Sequence, residues 1–406
     1  MVKCIVKTKL DLTTMKKSTK IVSAGRDKKW TQGLVNPPVS RGSTVVFNSV
    51  KEMKQATAKR HDKTLFYGRR GTQTHFAFQE AMVEIEGGAG CALYPCGTAA
   101  ISGALLSFLK HGDHLLMVDT AYEPTRDLCD KLLSRYGIET TYYDPMIGGA
   151  ISELIQANTK VIFLESPGSL TMEVQDSPAI VAAARAANQD IVVMLDNTWA
   201  SPVNFSPFDF DIDISIQAAT KYIVGHSDVM LGTAVANQRC WDQLRENSYL
   251  LGQCTSPDDI YLAMRGMRTL GVRLAQHQKN ALEVANWLAQ RDDVDHVRHP
   301  ALASCPGNEF FERDFQGSCG LFSFVMKGGN QAALTALLDG MEHFKMGYSW
   351  GGYESLIMGV NGVEKLRTAT QWKAEGTLIR VHIGLEDTSD LIADLDAGLA
   401  RFNAAL

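Results

Sequence analysis

A lysine and an aspartate at the ends of apolar runs are the residues of this chain whose types and placement best suit chemistry. The run Ile191-Val192-Val193-Met194-Leu195 stops at Asp196-Asn197-Thr198-Trp199, and a second, Asp213 to Ala219, stops at Thr220-Lys221-Tyr222. Continuous β-branched runs read as strands buried on both faces, as in a parallel sheet. A carboxylate and an amine thus each stand where a strand meets a loop, the edge at which open α/β sheets bind ligands. A lysine that loses solvation there is more readily neutral, nucleophilic and able to condense with a carbonyl. An aspartate nearby would hold a heteroaromatic ring nitrogen protonated. Either residue alone reads more simply, as a solvated loop lysine or a turn-forming aspartate.

Other groups follow the same strand-end pattern. Cys91 to Pro95 reads as a strand and Thr98 to Leu109 as a helix. The turn between them, Cys96-Gly97-Thr98, offers free N–H groups at the positive end of a helix dipole, which is an anion site. Neither a P-loop nor GxGxxG is present, so nucleotides are not the first expectation. Tyr122 follows the strand His114–Asp119 and would either stack on a flat ring or bury its own ring in the ordinary way. Arg380 is a charge inside the apolar strand Leu378-Ile379-Arg380-Val381-His382-Ile383, which suits an exposed sheet face or a bound anion. Tyr67 and Arg69, in Phe66-Tyr67-Gly68-Arg69, bring a second arginine suited to phosphate.

Two motifs point elsewhere. Gly347-Tyr348-Ser349-Trp350-Gly351 fits the GxSxG elbow of serine hydrolases, whose triad runs serine, acid, histidine. The only histidine after Ser349 is His382, with no aspartate between them, and the elbow falls after most strand–helix units. A hydrolase is therefore a distant reading. Asp209, Asp211 and Asp213 alternate, but Ile214 and Thr220 stand where a calcium loop needs glycine and glutamate. No metal site is expected, and the run reads as a turn entering a strand.

At 406 residues and 45% hydrophobic content the chain has room for two or three domains with large cores. Residues 1–66 read as an N-terminal arm, lysine-rich at first and then extended around Pro37-Pro38, with a neighbouring subunit as one candidate support. Residues 67–266 alternate strand and helix, the signature of a mostly parallel sheet flanked by helices. Residues 267–406 suggest a smaller α+β domain: a helix Arg273–Gln290, a strand Cys319–Met326, a helix from Gln331, a strand Thr377–Ile383 and a last helix Thr388–Phe402. Within it, 303–318 reads as loop. Forty basic against 45 acidic residues predict no nucleic-acid or membrane partner, and no apolar run is long enough to span a bilayer. Eight cysteines without a CxxC pair fit reduced thiols in the cytoplasm.

Asp-Asn-Thr at 196–198, Thr-Lys-Tyr at 220–222 and Gly-His-Ser-Asp at 225–228, in that order and spacing, resemble the Cys/Met-metabolism family of pyridoxal phosphate (PLP) enzymes. The resemblance runs from about Ile21 to Phe402 and implies PLP fold type I and a homotetramer of two catalytic dimers. It implies that Lys221 carries the cofactor, Asp196 serves its ring nitrogen and Tyr122 stacks on the ring. Gly97, Thr98 and Thr220 would hold the phosphate, with Tyr67 and Arg69 reaching it from the neighbouring subunit. Arg380 would clamp the substrate α-carboxylate, next to Ser349 and Trp350, while Lys221 and Tyr122 move protons. Ala218 stands where many relatives add a serine hydroxyl to the phosphate grip. Thr72-Gln73-Thr74, Ser169-Leu170 (where Asn-Pro is usual) and Trp350 are similar to the family's bacterial β-lyase branch. That branch implies cleavage of L-cystathionine, a methionine precursor, to L-homocysteine, pyruvate and ammonia, with slower attack on cysteine or cystine. The alternative is γ-chemistry, as in the family's cystathionine γ-lyases, γ-synthases and methionine γ-lyases.

Overall fold

The apolar runs meet in one seven-stranded sheet in the computed structural model, which describes residues 15–373 and 376–406. Its strands are β1 (Gly90–Tyr94), β2 (His114–Val118), β3 (Glu139–Tyr143), β4 (Thr159–Glu165), β5 (Val192–Asp196), β6 (Ile214–Gln217) and β7 (Gly232–Ala236). They lie in the order β1-β7-β6-β5-β4-β2-β3. Only β7 opposes its neighbours, β1 and β6, so every other strand delivers its C-terminal end to the same edge. Parallel neighbours need long crossovers, and helices such as Ser177–Ala187, between β4 and β5, supply them. Central residues such as Phe163, Leu164, Val193 and Met194 are fully buried, which explains why these strands read as unbroken apolar runs.

The relative height of two strand ends is set from the far side of the sheet. Asp213, just before β6, is fully buried and accepts hydrogen bonds from Arg185 (2.8 Å), Arg239 (2.6 Å), Asn237 (2.8 Å) and the N–H of Val193 (2.8 Å). Val193 belongs to β5, so this carboxylate helps tie β5 and β6 in the register Met194↔Ile214. The other ends of those two strands carry Asp196 and the turn to Lys221. Asp211 of the same alternating run pairs with Arg185 on the surface. The run is an ion-paired turn, not a cation loop.

The smaller sheet comprises β8 (Val294–Arg298), β9 (Leu321–Met326), β10 (Lys345–Met346), β11 (Leu356–Val360) and β12 (Leu378–His382), in the order β10-β11-β12-β9-β8. Phe322, Phe324, Ile379 and Val381 share a core with Leu391, Leu395 and Leu399 of the helix Thr388–Ala404. Those leucines recur every fourth residue, the spacing of one helix face.

Two segments differ from the sequence reading. The arm is not wholly extended: Lys17–Ser23 and Val50–Ala58 are helices, the second capped by Ser49, which accepts from the N–H of Glu52 at 3.1 Å. The lysine-rich stretch 1–14 lies outside the described residues. The expected loop 303–318 contains a helix, Asn308–Asp314, because Phe311 and Phe315 anchor it edge-on against Trp199. No helix of the described residues is long and apolar enough to cross a membrane.

Burial opposes the charge of Asp213, but hydrogen bonds from Arg239, Val193 and Arg185 outweigh it and hold the carboxyl below its usual range. Asp213→Asn strands two arginines and should lower stability by about 3–5 kcal/mol at neutral pH. A carboxyl depressed in the folded state contributes above its unfolded pKa and loses that contribution as pH falls. The gap between wild type and variant in urea midpoint should therefore close below about pH 4.

Candidate active site

The loops that follow β1, β2, β4, β5 and β6 converge on a cavity of about 290 Å³. Gly97 and Thr98 enter it after β1, Tyr122 after β2, Ser169 after β4, Asp196 at the end of β5, and Thr220 and Lys221 after β6. The smaller domain closes it with Ser349, Trp350 and Arg380. Residues spread from position 97 to position 380 thus share one space because the sheet sends all these strand ends to one edge.

Within the cavity, Lys221 donates from Nζ to Ser349 Oγ at 2.7 Å, and its amine lies 5.3 Å from the centre of the Trp350 ring. Burial, reinforced by the charge of Arg380 and partly offset by Asp196, brings the amine down to about 8. Asp196 is itself buried, which pushes its carboxyl up, while the hydroxyl and N–H of Thr198 pull the other way. Thr198 Oγ1 donates to Asp196 and accepts from the N–H of Ala218 at 2.8 Å, linking the end of β5 to the turn that carries Lys221.

Arg380 is only 9% exposed. Its guanidinium has no acidic partner among the described residues, and burial lowers it to about 10, opposed only by Tyr122. An exposed sheet face does not describe this residue. A buried cation without a counter-ion, facing a cavity, is a receptor for an anion.

The helix Gly97–Phe108 presents its N-terminus to the same space, and its first two N–H groups, on Gly97 and Thr98, have no intrahelical partner. A Cβ at position 97 would come within 2.6 Å of the Ala218 Cβ, so glycine is needed for this close approach. The Thr220 hydroxyl is engaged elsewhere: it accepts from the N–H of Leu231 at 2.9 Å and donates to the carbonyl of Leu231 at 3.3 Å. Its proton is not available to an anion, which leaves Thr98 as the threonine of the cradle whose hydroxyl has no partner among the described residues. Tyr67 and Arg69 do not line this cavity; Tyr67 is 43% exposed and Arg69 donates to the Tyr249 carbonyl at 2.9 Å. The GxSxG match is not an elbow either, because Gly347–Gly351 joins β10 to β11 with no helix after it.

Thr198, Cys96, Glu165 and Trp199 also line the cavity and were not singled out by sequence. Glu165 ends β4 in register with Asp196 and accepts from the N–H of Tyr122 at 2.8 Å. The strand-end rule applied to β4 would have found it. Burial and the neighbouring Asp196 push its carboxyl well above the usual range.

PLP fits these residues: an amine for its aldehyde, a buried carboxylate for its ring nitrogen and a helix N-terminus for its phosphate. A family model described as Cys/Met metabolism PLP-dependent enzyme matches residues 18–400. Cystathionine β-lyase MetC of Escherichia coli (strain K12) is 56% identical over 389 residues, covering 95% of this chain and 98% of that protein. Cystathionine β-lyase of Salmonella typhimurium is 56% identical over 393 residues, covering 96% of this chain and 100% of its own length. A solved structure of cystathionine γ-synthase from Xanthomonas oryzae pv. oryzae has a TM-score of 0.87 at 32% identity, covering 97% of this chain and 100% of its own.

The depressed amine has a direct signature in the cofactor-free protein. Reductive methylation of Lys221, followed by mass spectrometry, should speed up through about pH 8 and then level off. Exposed lysines in the same digest should keep gaining toward about pH 10.4. A Lys221 profile that follows the exposed lysines would show that the amine is fully solvated.

Proposed function

The chain belongs to the Cys/Met metabolism family of PLP-dependent enzymes, with PLP as its cofactor, and we propose that it cleaves the β-carbon–sulfur bond of L-cystathionine. The products are L-homocysteine, pyruvate and ammonia, a step toward methionine, and cysteine or cystine are slower substrates. The observation that carries an amino-acid lyase is the pairing in one cavity of a depressed lysine with a buried, unpaired arginine. The choice of the β-carbon rests on 56% identity to two cystathionine β-lyases over nearly their full lengths.

PLP, when bound, supplies the electron sink that lets a proton leave the substrate α-carbon. Gly97 and Thr98 would hold its phosphate, Tyr122 would stack on its ring and Asp196 would keep its nitrogen protonated. Arg380 receives the substrate α-carboxylate in a two-pronged pair, which orients the α-proton toward Lys221. Lys221 Nζ takes that proton, and Ser349 Oγ, 2.7 Å away, aims the amine. The β-carbon–sulfur bond then breaks, and the leaving thiolate takes a proton from Lys221 or from Tyr122. Burial and the nearby Glu165 push the Tyr122 phenol up, so it carries its proton at neutral pH.

The active unit is at least a dimer, assembled as a tetramer of two such dimers, in the cytoplasm. The cavity's own charged cations are Lys221 and Arg380, which leaves the phosphate cradle without an arginine of its own chain. Tyr67 and Arg69 stand outside the cavity, Tyr67 exposed, and serve the cradle of the neighbouring subunit.

Product analysis with cystathionine as sole substrate tests the reading directly. Pyruvate with homocysteine is the expected outcome; 2-oxobutyrate with cysteine would mean γ-cleavage and overturn the assignment. Arg380→Ala strands a desolvated carboxylate and should lower kcat/KM by about thirtyfold to several thousandfold, from a loss of roughly 2–5 kcal/mol, with the cofactor spectrum little changed. Neither Arg69→Ala nor Lys221→Ala chains should be active alone. Mixed and reassembled, they should regain part of the wild-type activity, because each hybrid dimer contains one site with neither lesion.

A further inference from the structure

Four residues of the smaller domain, Arg367–Thr370, lie between two buried carboxylates of the larger one. Asp119, directly after β2, accepts from the N–H and hydroxyl of Thr368 (both 2.9 Å) and from the N–H and hydroxyl of Thr370 (3.0 and 2.9 Å). Arg126 closes this ring, donating to Asp119 at 3.0 Å and to Thr368 Oγ1 at 2.9 Å. Glu173, in the loop after β4, accepts from Arg367 at 2.7 Å and from Arg298 at 2.9 Å. Arg367 also donates to Thr171 Oγ1 at 2.5 Å. Asp119 is fully buried, and the side chains of Arg126, Glu173, Arg298 and Arg367 are nearly so.

Desolvation takes back much of what such ion pairs gain, so a buried cluster of this kind is a weak source of stability and a strong source of geometry. Its geometry bears on two loops of the cavity. Asp119 lies three residues before Tyr122, and Glu173 closes the loop that contains Ser169. The two loops lean on each other, with the N–H of Ser169 donating to the Thr120 carbonyl at 3.0 Å. Gly168 makes that possible, since a Cβ there would come within 2.6 Å of Thr120. From the other side, Ser323 of β9 donates to the Leu170 carbonyl at 2.7 Å, and Ser323 is the register partner of Arg380. None of Arg367–Thr370 lines the cavity itself.

We infer that Arg367–Thr370 is a positioning strap: docked on Asp119 and Glu173, it fixes the loops of Tyr122 and Ser169 against Arg380 and so sets the carboxylate end of the substrate cavity. The inference rests on the proposed lyase reading for the identity of the substrate, and on the hydrogen-bond network for the strap.

The test is the double variant Thr368→Val/Thr370→Val in the PLP-loaded enzyme, with Thr368→Ser/Thr370→Ser as the conservative control. Valine removes both hydroxyl donors to Asp119 and leaves the two backbone bonds. Hydrogen exchange of the Tyr122 and Ser169 amides should speed up about tenfold, the scale of one or two lost hydrogen bonds. The KM for L-cystathionine should rise about tenfold with kcat within about threefold and the cofactor spectrum unchanged, while the serine pair behaves as wild type. Unchanged exchange, or faster exchange with an unchanged KM, would overturn the strap, as would a fall in kcat together with an altered spectrum. Should the valine pair fold poorly, Arg367→Lys keeps the charge but loses the fork that bridges Thr171 and Glu173, and the same shifts are expected. If wild-type enzyme did not turn over cystathionine, the substrate assignment would fail, and the exchange measurement would still decide the strap.

Discussion

Lys221 is held out of water in the turn after β6 with a second cation, Arg380, facing the same cavity and opposing the protonation of its amine. Desolvation does the larger part, and Asp196 returns only some of what it takes. An ordinary lysine would be fully protonated at neutral pH and useless as a base. The rest of the site follows from keeping this amine depressed but aimed. Ser349 accepts a hydrogen bond from it, the Trp350 ring lies beside it, and Thr198 donates its hydroxyl to Asp196.

Neither domain contains the site alone. The large sheet contributes the anion cradle, the ring-nitrogen carboxylate and the lysine, each at a strand end. The smaller sheet contributes Arg380, a cation without an acidic partner among the described residues, from the middle of a strand. Such a division makes strand register a chemical variable, since a slip of one residue in β12 would turn Arg380 away from the cavity and into a core of Ile379 and Val381 neighbours. It also makes the boundary between the domains a place where geometry is set. Buried carboxylates there accept several hydrogen bonds apiece, as Asp119 does, and a group so fully satisfied has one arrangement in which it is satisfied.

Much of the site was legible because a parallel sheet converts sequence position into spatial position by a simple rule. Gly97, Tyr122, Asp196 and Lys221 each follow an apolar run, and the fold needs only to bring the run ends to one edge. Glu165 obeys the same rule at the end of β4, although its residue type alone does not separate a functional glutamate from a solvated one. Arg380 could be read two ways from its strand, as burial is a property of what packs above it. The helix Asn308–Asp314 was illegible for a related reason: Phe311 within it and Phe315 just past its end make sense only against Trp199, more than a hundred residues earlier.

Alone, the sequence determined the element types of the large domain, the chemistry available at its strand ends and the family to which the whole chain is similar. Those depend on side-chain period, residue type and short spacings, all of which are local. Tertiary structure decided which hydroxyls and cations are free to bind something. Thr220 and Thr98 are the same residue type at equivalent strand ends, yet Leu231 takes the proton of one and leaves the other. Arg380 and Arg298 both lie in strands of the small sheet, yet Glu173 neutralises one while the other faces the cavity with no acidic partner among the described residues. A donor's availability is fixed by the acceptors that folding brings within about 3 Å, and those come from parts of the chain that no local pattern connects.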